Sequence, residues 1–151
     1  MKEMVLALDQ GTTGSTAAFF DAGSGELLAN VKVEFPQIYP APGLVEHNPE
    51  EIWSSMVKAI AQATAKLVAS YPDRALRQIC AIGITNQRET VVPWDRVGGE
   101  VAGNAIVWQD RRTAQFCNSM KKDRSTQRLI LRRTGLVCDP YFSASKMRWL
   151  L

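Results

Sequence analysis

The chain has 151 residues, 46% of them hydrophobic and 22% charged, with a formal net charge of +3. That length supports one domain with a buried core, and the balance is that of an ordinary globular protein rather than a disordered or fibrous one. No apolar run approaches the length of a membrane span, and the single histidine, His47, argues against both a multi-histidine metal centre and a Ser-His-Asp triad.

The net charge hides an asymmetry. Residues 1–108 hold 8 Lys and Arg against 12 Asp and Glu, a balance of −4, whereas residues 109–151 hold 10 against 3, a balance of +7. A basic end of this kind suits nucleic acid or a phosphate-rich ligand. Here the arginines are scattered along helical patterns with no nucleic-acid motif beside them, so solvated helix faces are the better reading and no nucleic-acid partner is expected. Cys80, Cys117 and Cys138 are odd in number, far apart and without a Cys-x-x-Cys pair, which points to reduced thiols. Asp9 interrupts any signal-peptide core after Met1, so a cytoplasmic location without membrane association is expected.

In chain order, Met4 to Asp9 reads as a buried strand and Thr16 to Asp21 as the next. Between them Gln10-Gly11-Thr12-Thr13-Gly14-Ser15 forms a turn of glycine and hydroxyl residues. Asp21-Ala22-Gly23-Ser24-Gly25 makes a second turn, and Glu26 to Phe35 a third strand, so the opening is an antiparallel meander. Pro36 to Pro49 carries four prolines and one glycine and reads as a loop, with room for a brief strand at Leu44-Val45.

Asn48-Pro49-Glu50-Glu51 is a strong helix start, with Asn48 as N-cap, proline in the first turn and glutamates at the positive end of the dipole. Ile52, Met56, Ile60, Ala63 and Leu67 then give a core-facing stripe that ends at Tyr71-Pro72-Asp73, with Trp53 as a core or rim aromatic. Gln78 to Thr85 is an apolar strand, Thr90 to Trp94 an extended piece, Val97-Gly98-Gly99 a turn and Asn104 to Trp108 a further strand. Asp110 is placed to cap a helix through Lys121. Ser125 begins another helix, closed by Gly135, and Asp139-Pro140 or Ser143 starts the last. That final helix reaches Leu151 with Met147, Leu150 and Leu151 on an apolar face and no stop signal, as in a chain cut from a longer protein.

Two places carry chemistry. Asp9-Gln10-Gly11-Thr12-Thr13-Gly14 is a hairpin whose glycines let backbone N–H groups approach a polyphosphate, while Asp9 could hold Mg²⁺ directly or through water. Arg88-Glu89 follows an apolar strand, where ligands dock in open α/β sheets. A guanidinium brings only donors and an ionised carboxylate only acceptors, which together suit a polyhydroxy compound. On these residues alone a surface ion pair is the simpler reading.

The hairpin resembles the first phosphate loop of the sugar-kinase, actin and heat-shock-protein ATPase superfamily. Five further stretches, Phe35–Pro40, Gly43–Trp53, Ile82–Thr90, Asn104–Thr113 and Thr134–Ser143, are similar to the glycerol kinases of the carbohydrate kinase family, in family order. The resemblance implies an α/β, ribonuclease-H-like (actin-like ATPase) N-terminal domain, in which a three-strand antiparallel meander continues into parallel strands with packed helices. Residues 1–151 would be the N-terminal part of the family's first domain. It implies ATP-dependent phosphorylation of glycerol, with ATP and Mg²⁺ as cofactors, glycerol and ATP/ADP as partners, and a homo-oligomer left open. Thr12, Thr13 and Gly14 match the phosphate-contacting positions and Asp9 the acidic position near the metal. Arg88 and Glu89 match the pair that grips glycerol hydroxyls, Tyr141 a further polyol contact, and Trp108 an aromatic packed on the substrate's carbon skeleton.

Two departures accompany the match. Thr16 stands where many relatives carry an arginine that neutralises the transferred phosphoryl group. The family's catalytic aspartate and most of its adenine site have no matching motif, so the chain alone is expected to be inactive. Another polyol or sugar kinase of the family, or a truncated non-catalytic binding module, are the alternatives.

Overall fold

The computed structural model describes residues 3–74 and 76–151. Met1 and Lys2, the start of the segment read for a signal core, lie outside them. The described residues fall into two compact units, one of residues up to Pro36 with Glu50–Gln87, the other of Gln37–Pro49 with Arg88–Leu151.

The first unit is a mixed sheet under one helix. Strands β1 (Met4–Gln10) and β2 (Gly14–Asp21) pair antiparallel, β2 pairs antiparallel with β3 (Leu27–Glu34), and β5 (Ile79–Asn86) lies parallel to β1, in the order β3-β2-β1-β5. Register places Leu6 opposite Phe19 and Phe19 opposite Ala29, so one face collects apolar side chains, as the period of two requires. Helix α1 (Pro49–Ser70) lays Ala59, Ala63 and Leu67 on that face against Met4, Leu6, Ala17, Phe19 and Leu28. Of the stripe expected from spacing, Met56, Ala63 and Leu67 are buried, Ile52 and Ile60 are partly buried, and Ala59 takes a place the spacing did not assign. Trp53 corrects the expectation: it is 67% exposed and belongs to neither core nor rim.

Strand β5 is less covered than its apolar sequence suggests. Ile82 and Ile84, paired with Leu6 and Leu8 of β1, are 58% and 75% exposed, because the helix covers the β1–β3 side of the sheet.

The second unit has little regular sheet. Strands β4 (Glu46–His47) and β6 (Ala105–Ile106) form a two-residue antiparallel ladder, extended by bridges Ile38–Glu46 and Val91–Ile106. The brief strand thus sits two residues after Leu44-Val45, and the strand expected over Asn104 to Trp108 keeps only its middle. Three helices follow: α2 (Ala114–Lys121), α3 (Arg124–Thr134) and α4 (Ser143–Leu150).

Asp123 caps α3 by accepting from the Ser125 amide, and bonds from the Thr126 hydroxyl first and Ser125 second hold its carboxyl down at about 2; Gly135 closes the helix in the left-handed region at φ 72. Helix α3 buries none of its side chains, in keeping with solvated basic faces. Asp110 does not cap α2; the helix begins at Ala114 after Thr113, and Asp110 is engaged elsewhere. No helix among the described residues is long and apolar enough to cross a membrane.

Candidate functional site

The hairpin joining β1 to β2 is closed by the Gly11 amide donating to the Gly14 carbonyl at 3.0 Å. Gly14 is required by close packing: a Cβ there would lie 2.7 Å from the Val33 carbonyl oxygen and 3.1 Å from the Glu34 Cα of the neighbouring strand. At the hairpin base Ser15 and Ser55 are both buried and share a hydroxyl–hydroxyl bond of 2.8 Å, which ties β2 to the first turns of α1. A rigid helix and sheet thus position a turn of small and hydroxyl residues whose backbone is close to its own surface.

Thr12, Thr13 and Gly14 therefore sit together on one turn, with Asp9 exposed at the end of β1, opposite Thr16. Among the described residues no three acidic, histidine or cysteine side chains gather into a metal cage. A single carboxylate fits Mg²⁺ only as an ion held mainly by phosphate oxygens and water, its usual mode beside nucleotides.

In the second unit, Glu89, Trp108 and Tyr141 are linked. The Ser143 amide and hydroxyl both donate to Glu89 Oε2 at 2.7 Å. Ser143 is the first residue of α4, whose N-cap Phe142 offers no side-chain bond, so the Glu89 carboxylate supplies the missing acceptor at the positive end of the helix. The Ser143 hydroxyl bond is the main reason that its pKa lies below 4.5; burial works against this, and Lys146 and Arg88 lower it further by charge. Glu89 adopts φ 66, and among the described residues it is the one non-glycine with a positive φ. Such a conformation is uncommon for a residue with a side chain and is held only where the surroundings enforce it.

The residue after Glu89 connects to the aromatic pair. Thr90 Oγ1 accepts from the Trp108 amide at 3.3 Å, and the Trp108 ring meets Tyr141 edge-on with centroids 5.6 Å apart. Arg88 is exposed beside them. The expected Arg88–Glu89 pairing takes another form: Glu89 is hydrogen-bonded to Ser143, and Arg88 acts on it through charge alone.

Sequence reasoning missed the groups that hold this arrangement. Lys146 is fully buried, and its ammonium donates to the carbonyls of Tyr141 at 2.6 Å and Phe142 at 3.4 Å. Burial pushes its pKa down, with Glu89, Asp110 and Asp139 acting the other way. A cation in the first turns of a helix opposes the dipole, so its place here depends on those carbonyls and carboxylates.

Asp110, 1% exposed, accepts from the Val45 amide at 2.7 Å and from the backbone and side chain of Arg112 at 2.8–2.9 Å. Arg112 reaches on to Glu46 at 2.6 Å. Burial disfavours the Arg112 charge, but the bonds to Asp110 and Glu46 outweigh it and raise its pKa. The one legible signal was the density of charge in Asp110-Arg111-Arg112, where a helix cap was read instead. A cleft of about 720 Å³ lies elsewhere, lined by Lys121, Arg124, Arg128 and Leu131.

Comparison with known proteins adds to this geometry. The glycerol kinase of Chromobacterium violaceum is 52% identical over 149 residues, covering 99% of this chain and 28% of the relative, and that of Alkalilimnicola ehrlichii is 50% identical with 29% of its length covered. The chain thus spans less than a third of the curated relatives it matches. Among solved structures, Plasmodium falciparum glycerol kinase with ADP superposes with a TM-score of 0.89 at 32% identity, over 99% of this chain and 28% of that one. Gluconate kinase from Lactobacillus acidophilus superposes at 0.84 with 24% identity, over 98% and 28%, and shares the fold. The expected actin-like ATPase fold is therefore the one observed. The model of the FGGY family of carbohydrate kinases, N-terminal domain, matches residues 4–151, and the chain belongs to that family.

Proposed function

We propose that this chain is the N-terminal part of the first domain of a cytoplasmic, ATP-dependent glycerol kinase. The whole enzyme transfers the γ-phosphoryl group of MgATP to a terminal hydroxyl of glycerol, giving glycerol 3-phosphate and ADP. The observation that carries the reading is the 52% identity to a glycerol kinase along 149 residues, which include every candidate site residue.

In this reading the hairpin amides and the Thr12 and Thr13 hydroxyls donate to the nucleotide phosphates. Asp9 orients the Mg²⁺ hydration shell, and the ion neutralises phosphate charge. Arg88 donates to glycerol hydroxyls. Glu89 accepts from them through Oε1, because Oε2 already serves Ser143. Trp108 and Tyr141 meet the carbon skeleton, an apolar surface that an indole matches well.

The general base lies outside these residues. Asp110 is saturated by Val45 and Arg112, while Asp139 accepts from the Tyr141 amide and pairs with Arg111 at 3.1 Å. Both carboxylates are committed to structural partners, which supports a base elsewhere in the whole enzyme.

A coupled assay of ADP formation tests the reading at both lengths. The 151-residue chain with glycerol and MgATP is expected to give no turnover above background. The full-length protein is expected to turn over glycerol faster than erythritol, xylulose or ribulose. A preference for one of the last three would transfer the assignment to another polyol or sugar kinase of the family. No binding of glycerol or ATP to the full-length protein by titration calorimetry would leave a non-catalytic module.

A further inference from the structure

The hairpin from Asp9 to Thr16 contains no basic residue, and its one charge is negative. A nucleoside triphosphate placed on it would meet amides and hydroxyls but no cation from the loop itself. Lys32 of β3 lies opposite Thr16 in the strand register. Its neighbours Val31 and Val33 pack against the core, so Lys32 stands on the other face of the sheet.

From there the side chain crosses the turn. Lys32 Cε would be 3.0 Å from a Cβ on Gly14, so the missing side chain of Gly14 leaves the path open. Its ammonium donates to Thr13 Oγ1 at 3.2 Å. The other contact, to Glu34 at 3.5 Å, joins a half-exposed lysine to a 78% exposed glutamate, and a pair of that kind holds a lysine weakly. An ammonium with three donors is thus parked on a proposed phosphate-binding threonine by contacts that a phosphate oxygen can displace.

We propose that Lys32 is a phosphate-binding residue of this kinase, reaching over Gly14 to neutralise the phosphates of the nucleotide on the hairpin. The proposal rests on reading the hairpin as the phosphate loop. It gives the cross-strand partner of Thr16 the charge that Thr16 lacks. Glu34 is released as the ammonium turns to the nucleotide, and no proton or covalent bond changes hands.

The test uses the full-length enzyme with MgATP, comparing wild type, Lys32→Met, Thr12→Val and the double variant Lys32→Met/Thr16→Arg. Lys32→Met is expected to raise the KM for MgATP by about tenfold, the scale of one lost charge-assisted hydrogen bond. The KM for glycerol should stay within about twofold, because the hydrogen bonds of Lys32 go to the hairpin and to its own strand. The double variant is expected to recover part of the loss, since position 16 faces position 32 across the ladder. If Thr12→Val raises the MgATP KM while Lys32→Met leaves it unchanged, the hairpin reading stands and the role of Lys32 is overturned. If neither changes it, the phosphate-loop reading fails and the proposal goes with it.

Discussion

The two units bury different kinds of residue. Under α1 the core is Met4, Leu6, Ala17, Phe19, Leu28, Ala29, Ala59, Ala63 and Leu67, apolar side chains collected by sheet register and helix spacing, with the Ser15–Ser55 pair as the polar exception. Around Trp108 and Tyr141 the buried set includes His47, Asp110, Thr113, Ser145 and Lys146, each tied to a named partner or shifted by burial. The hairpin, proposed as the phosphate loop, is accordingly a turn of amides and hydroxyls on a hydrophobic platform. Glu89, Trp108 and Tyr141, the residues proposed for a polyol, stand beside a charged network that fixes individual carboxylates and rings. Apolar burial is tolerant of small change, whereas a buried ion network fails when one member is removed.

Three experiments bear on that contrast. The largest effect is expected from Asp110→Ala, which leaves the buried Arg112 charge with Glu46 alone and takes the carboxylate acceptor from the Val45 amide. A loss of about 3–5 kcal/mol in urea unfolding is expected. A loss below about 1 kcal/mol would mean that packing, not charge, holds the second unit. Next comes Gly14→Ala, where the new methyl meets the Val33 carbonyl at 2.7 Å and forces the hairpin from its neighbour strand. About 1–3 kcal/mol is expected, and an unchanged melting temperature would show that the turn is not closely packed after all.

The smallest effect concerns Glu89, whose carboxyl is held below 4.5 in the folded chain. A depressed pKa contributes stability that is present above the unfolded value and lost as pH falls through the folded one. The stability advantage of wild type over Glu89→Gln should therefore be complete at neutral pH and shrink as the solution is acidified below 4.5. A constant difference across that range would remove the carboxylate from its role at the start of α4.

What could be read from the sequence follows the same division. The meander, α1 and its stripe, and the Gly135 stop were legible because period, caps and glycine conformation are local signals. The clustering of Glu89, Trp108 and Tyr141 was legible only through resemblance, since 52 residues separate Glu89 from Tyr141. Asp110 was misread because an acidic residue ahead of a helical pattern looks like a cap, and nothing local points to a Val45 amide 65 residues away. Lys146 gave no signal at all. A lysine in an eight-residue helix is ordinarily exposed, and only the carbonyls of Tyr141 and Phe142, with the carboxylate of Glu89, make burial affordable.

The parallel strand β5 ends the sheet on one side, with β1 as its partner and Ile82 and Ile84 open to solvent. Backbone amides there are bonded on a single flank, while those of β1 and β2 lie between two neighbours. Hydrogen exchange will therefore be graded across the sheet. The central strands yield their protons only when the whole unit opens, and the outward amides of β5 exchange from the native state itself. The residues that lead directly into Arg88 and Glu89 thus belong, like those of β3, to an edge strand less protected than the sheet's centre.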